Sequence, residues 1–113
     1  MQNAIVSPGA EVLLRTPLPK SIASKASRVG LITNHTGVLP SLRPTYDVLA
    51  ERYTFVALFS PEHGVRGDVD AGGDLPDSID AATGLPVYST YGPNGNEAYR
   101  KMGELDCIFF DIQ

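Results

Sequence analysis

The sequence predicts an α/β fold built on a mostly parallel sheet, and three observations carry that prediction. Short apolar runs at 28–33, 54–59 and 105–112 are continuous rather than alternating, which is the pattern of strands buried on both faces. Segments with helical spacing lie between them. Gly, Pro, Asn and Asp punctuate nearly every junction.

In chain order, residues 1–28 form a lead-in: Gly9 to Arg15 suits a short helix, and Pro17 and Pro19 end it before a Ser/Lys-rich stretch. Arg28 to Thr33 is the first strand, closed by the turn cluster Asn34-His35-Thr36-Gly37. Pro44 to Tyr53 follows as a helix, with Tyr46, Val48, Leu49 and Tyr53 near one face and Pro44 in its first turn. Thr54 to Phe59 is the second strand, stopped by Ser60-Pro61 and followed by a Gly/Asp-rich stretch from Glu62 to Asp74. Leu85 to Ser89 makes a third, weaker strand; Tyr91 to Gly95 is a loop, and Asn96 is expected to cap a helix running through Met102. Leu105 to Ile112 is the fourth strand. This order of strands and helices generates a parallel sheet with right-handed crossovers.

Composition narrows the function. A chain of 113 residues, 42% hydrophobic, supports one core. The formal net charge of -4, with 9 dispersed Lys and Arg, offers no footprint for nucleic acid or an anionic membrane. Cys107 has no second cysteine to bridge to and, beside Ile108, Phe109 and Phe110, is expected to be a buried reduced thiol. The opening MQNAIVSPGAEVLL lacks the basic and apolar regions of a secretory signal, and no run reaches the roughly 18 apolar residues of a membrane span. The expected compartment of the chain as given is therefore cytoplasmic, or extracytoplasmic if an upstream segment precedes it.

The unusual polar residues fall just after strands, and in open α/β sheets ligands bind at that carboxyl edge. Four loops meet there: Asn34 to Gly37; Ser60 to Gly64 with Arg66 and Asp68 beyond; Ser89 to Gly92; and Asp111 with Gln113. Glu62 is the candidate proton donor, because a carboxyl directly after a buried strand and a proline can sit partly desolvated and have its pKa raised toward neutral, the tuning a proton donor needs. The alternative is an ordinary loop salt bridge between Glu62 and Arg66. His35 and His63 either orient a substrate or are simply solvated, and a strand-end Asn or Asp commonly serves as a turn or cap residue. Two His with Asp68 and Asp70 suit a divalent metal by donor type, but their spacing matches no metal motif and no metal site is assigned. GxxxxGK[ST] and GxGxxG are both absent, so no phosphate-bearing cofactor is expected.

Four stretches carry a family resemblance: Val29-Gly-Leu-Ile-Thr-Asn-His-Thr-Gly37, Leu58-Phe-Ser-Pro-Glu-His-Gly-Val-Arg-Gly67, Thr83-Gly-Leu-Pro-Val-Tyr-Ser89 and Asp106-Cys-Ile-Phe-Phe-Asp-Ile-Gln113. In this order and spacing the chain resembles DUF1343, a family associated with exo-acting β-N-acetylmuramidases. Ser-Pro-Glu-His-Gly-x-Arg-Gly is the specific part; the strands around it are generic.

The resemblance implies a Rossmann-like three-layer α/β domain followed by a smaller C-terminal domain. Residues 29–113 would then be the N-terminal part of the catalytic domain, with the sheet incomplete at the C-terminus. It implies release of N-acetylmuramic acid from the non-reducing end of peptidoglycan fragments. Glu62 matches the motif carboxylate expected to be catalytic, and Asn34, His35, His63 and Arg66 would line the sugar pocket, with Asp68, Asp111 and Gln113 as further substrate contacts. A second carboxylate, separated by roughly 5–5.5 Å for retention or 6.5–9.5 Å for inversion, is open to Asp68, Asp70, Asp111 or a residue beyond Gln113. Two other classes fit the same residues: a muropeptide-binding module without chemistry, and a metal-dependent hydrolase. Oligomeric state is not legible in the sequence.

Overall fold

The structure is a computed structural model that describes residues 4–24, 26–61, 64–67 and 78–113. Its elements are α1 (Gly9–Arg15), α2 (Lys20–Ala23), β1 (Val29–Thr33), α3 (Thr45–Leu49), β2 (Phe55–Ser60), β3 (Ser78–Ile79), β4 (Pro86–Ser89), a 3-10 turn (Gly92–Asn94), α4 (Gly95–Met102) and β5 (Cys107–Asp111).

The sheet runs β3-β4-β2-β1-β5. Strands β4, β2, β1 and β5 are mutually parallel, and only β3 is antiparallel, against β4. The chain steps from β1 outward to β2 and β4, then crosses to the other side of β1 for β5. That reversal makes the carboxyl ends of β1 and β5 the topological switch point, where a ligand crevice is expected in a Rossmann-like sheet.

Helices cover both faces. On one, Leu31, Leu58 and Val87 pack with Ala10 of α1 and with Tyr46 and Leu49 of α3. On the other, Ala57 and Phe59 pack against Ala98 of α4, with Met102 and Leu105 at the margin. Continuous apolarity in the strands thus has its physical cause in a three-layer arrangement: each strand has a hydrophobic neighbour above and below. The segment read as a lead-in takes part in this core. Ala10 is buried, and Arg52 donates to the carbonyls of Leu13 and Leu14, closing the end of α1 onto the chain after α3.

Local expectations are corrected in four places. The helix expected over 44–53 is regular only over Thr45–Leu49 and then tightens into turns, with Glu51 N–H bonded to Val48 O and Arg52 N–H to Leu49 O. Asn96 is not a cap, because the 3-10 turn feeds directly into α4 and leaves Asn96 inside its first turn. The last strand begins at Cys107 rather than Leu105, whose N–H is spent on Met102 O in the turn after α4. Cys107 is only half-buried, since β5 has β1 on one side and no partner on the other among the described residues.

Candidate functional site

At the switch point, the β1 and β5 loops are hydrogen-bonded into one unit. Asn34 Oδ1 accepts from Thr36 N–H at 2.9 Å and from Thr36 Oγ1 at 2.6 Å, the self-closing turn that a short amide side chain favours. Thr33 Oγ1 donates to Asp111 O at 2.9 Å, Gln113 N–H to Thr36 Oγ1 at 3.2 Å, and Gln113 Nε2 to Val38 O at 2.9 Å. Three expected site residues, Asn34, Asp111 and Gln113, therefore belong to one hydrogen-bonded unit at this edge.

Asp111 is anchored from a third direction. The Thr45 hydroxyl lies 3.0 Å from Gly37 O and in contact with Asp111 Oδ2. Gly37 O already takes the Thr45 N–H at 2.9 Å, so the single hydroxyl proton is available to the carboxylate. Gly37 is required here by close approach: a Cβ on it would stand 2.5 Å from Thr33 Oγ1 and 3.0 Å from both Asp111 O and Oδ2.

The loop after β2 abuts this unit through His35. Gly67 has φ +75°, and a Cβ there would meet His35 Cβ at 2.8 Å and Cγ at 2.9 Å. His35 itself is exposed. Glu62, His63, Asp68 and Asp70 lie outside the described residues. Among the described residues no group of three or more His, Cys, Asp or Glu is placed to hold a metal ion.

Arg66 is held on the far side of that loop. Its Nε and Nη2 donate to the two carboxylate oxygens of Asp80 at 3.3 and 3.2 Å, Nη1 reaches Asp47 Oδ1 at 3.4 Å, and the guanidinium lies over the Tyr46 ring, 5.7 Å from its centre. Burial pushes the Asp80 carboxyl up, but hydrogen bonds from Arg66 and from Thr83 Oγ1, with the guanidinium charge, outweigh it and hold the group below its ordinary value. The Asp80 hydrogen bond likewise raises Arg66. Arg66 thus ties the loop to α3 and to the turn before β4.

One feature escaped the sequence reading. Ser60 pairs with Ser89, Thr33 pairs with Asp111, and the β1–β2 register brings Thr33 beside Ser60. The result is a row, one polar side chain per parallel strand, in the order Ser89, Ser60, Thr33, Asp111. Two residues earlier on every strand lies the apolar row Val87, Leu58, Leu31, Phe109. The signal was present as period 2: stepping from 31 to 33, 58 to 60 and 87 to 89 keeps the same face and changes apolar to hydroxyl. At the Asp111 side of this row, an apolar groove of about 740 Å³ runs between α1 and β5, lined among others by Leu13, Leu18, Cys107, Phe109, Asp111 and Gln113.

Residues 29–113 match the family described as exo-beta-N-acetylmuramidase NamZ, N-terminal. Over 91 residues the chain is 46% identical to the peptidoglycan beta-N-acetylmuramidase NamZ of Bacillus subtilis (strain 168), covering 79% of this chain and 22% of that protein. Two solved DUF1343 family proteins of Bacteroides fragilis NCTC 9343 share the fold. One has a TM-score of 0.71 at 41% identity over 95% of this chain, the other 0.64 at 29% over 97%. The chain spans 26% of each of those structures.

Proposed function

The chain belongs to the N-terminal family of the exo-β-N-acetylmuramidase NamZ, a glycosidase family, and from that premise we propose that its carboxyl edge forms part of a muramidase site. The substrate is the non-reducing N-acetylmuramic acid unit of a peptidoglycan fragment. The observation that carries this reading is the convergence of Asn34, Asp111 and Gln113 at the β1–β5 switch point, with His35 alongside. Amide, imidazole and carboxylate groups at one edge suit the hydroxyl and acetamido groups of a sugar, and no cofactor is needed.

Glu62 is assigned as the general acid that protonates the leaving glycosidic oxygen, and His63 and Asp68, close to it in sequence, as substrate contacts. Asp111 is assigned to positioning rather than attack, because one of its oxygens is committed to Thr45. Arg66 is assigned to anchoring the loop through Asp80 and Asp47.

The test is release of 4-nitrophenol from 4-nitrophenyl β-N-acetylmuramide, by this chain and in parallel by a full-length relative, with Glu62→Gln or its counterpart. A loss of about 10²–10⁴ in rate is expected for removal of a general acid. Full activity in that variant would remove Glu62 from the role. Binding of N-acetylmuramic acid without turnover in either protein would favour a non-catalytic module instead, and loss of turnover on chelation would favour a metal-dependent hydrolase.

A further inference from the structure

We propose that the Ser60 hydroxyl is a ligand-contacting group of the carboxyl-edge site, bonding a hydroxyl or acetamido group of the bound sugar; this inference rests on the glycan-site reading above. Ser60 ends β2, the strand at the centre of the sheet, and is 1% exposed. Its carbonyl is satisfied by Thr90 N–H at 2.9 Å and Thr90 Oγ1 at 3.3 Å. Its side-chain Oγ is buried with no hydrogen-bond partner among the described residues.

The neighbours in the row differ. Ser89 Oγ donates to Tyr91 O at 2.8 Å, Thr33 Oγ1 to Asp111 O at 2.9 Å, and Asp111 Oδ2 takes the Thr45 hydroxyl. Each of those polar groups closes a turn or joins two elements, whereas the Ser60 hydroxyl bonds to nothing among the described residues. A buried hydroxyl left unbonded is costly, and alanine would fill the same strand position without that cost. A ligand bond explains the serine.

The chemistry of the surroundings selects the ligand class. A hydroxyl is both donor and acceptor, matching the mixed hydroxyl and amide groups of an N-acetyl sugar. The free protein carries the cost of the unbonded hydroxyl, and a ligand bond relieves it.

That origin gives opposite signs for stability and binding. In the 113-residue chain, Ser60→Ala should leave the melting temperature unchanged or raised. Its affinity for N-acetylmuramic acid, measured by titration calorimetry, should fall roughly fivefold to tenfold, the size of one neutral hydrogen bond. Ser60→Thr, which retains a hydroxyl, should bind better than Ser60→Ala. A lowered melting temperature with unchanged affinity would make the hydroxyl structural and overturn the proposal, and so would unchanged affinity at unchanged stability. Absence of any sugar binding by the wild-type chain would instead bring down the glycan-site reading and the proposal with it.

Discussion

Thr45 and Asp111 lie 66 positions apart in the chain and meet where α3 begins and β5 ends. The contact joins the first residue of a helix to the last residue of an edge strand, and Gly37 lies against both. Thr45→Val keeps the shape and removes the hydroxyl. It leaves one Asp111 oxygen without its donor, and a loss of about 1–2 kcal/mol is expected in urea unfolding. Thr45→Ser should recover most of it; equal loss in both variants would mean that the methyl group, not the hydroxyl, carries the contact.

Gly67 and Gly84 form a natural comparison. Both have positive φ, +75° and +72°, so an alanine at either site takes on the same backbone strain of about 1–2 kcal/mol. Only Gly67 faces another group: its Cβ would clash with His35, whereas nothing lies within 4 Å of Gly84. Gly67→Ala should therefore be the more destabilising by thermal melting and should shift the His35 ring signals in NMR spectra, which Gly84→Ala should leave in place. Equal effects from the two would separate the Gly67 loop from His35.

The Arg66–Asp80 pair sets an acid limit on stability. Asp80 is held below its ordinary pKa in the folded protein, so its contribution is fully present above the unfolded carboxylate value of about 3.9 and is lost as pH falls through the folded value. Asp80→Asn should cost about 2 kcal/mol at pH 6, between the small value of an exposed pair and the larger one of a fully buried pair, since Asp80 is buried but Arg66 is half-buried. Urea unfolding repeated below about pH 4 should show wild type and variant converging. A difference that persists undiminished there would assign the loss to packing rather than charge.

The sheet was legible because its strands are continuous apolar runs, and three-layer burial needs that pattern. β3 was not legible: Ser78 and Ile79 are both exposed and show no periodicity, and the strand exists only because β4 lies beside it. Strand-end positions also predict that Asn34, Asp111 and Gln113 share one edge of the sheet, and the β1 and β5 loops are hydrogen-bonded together there. Arg66 is different. Its partners Asp80 and Asp47 lie 14 and 19 residues away, and no local pattern announces such a pairing. Ser60 and Ser89 are legible in the sequence only as the first residues of two edge loops, and Thr33 as the end of an apolar run; only the register across strands turns them into a row.

Register also explains the behaviour expected of the outer strand. Phe109 packs inward with Tyr53 and Phe55, in edge-on ring contacts at 5.0 and 5.8 Å, which turns Ile108 and Phe110 to the opposite face. Phe110 is 69% exposed and Ile108 36%, on a strand hydrogen-bonded along one side only among the described residues. Exposed apolar edge strands template association. The 113-residue chain should therefore show concentration-dependent self-association by light scattering, and Phe110→Lys should suppress it. Because the side chain is exposed, that substitution should change unfolding free energy by no more than about 0.5 kcal/mol. A larger loss would show Phe110 to be a packing residue, and undiminished association would move the sticky surface elsewhere, with the apolar groove between α1 and β5 the next to examine by Leu18→Glu.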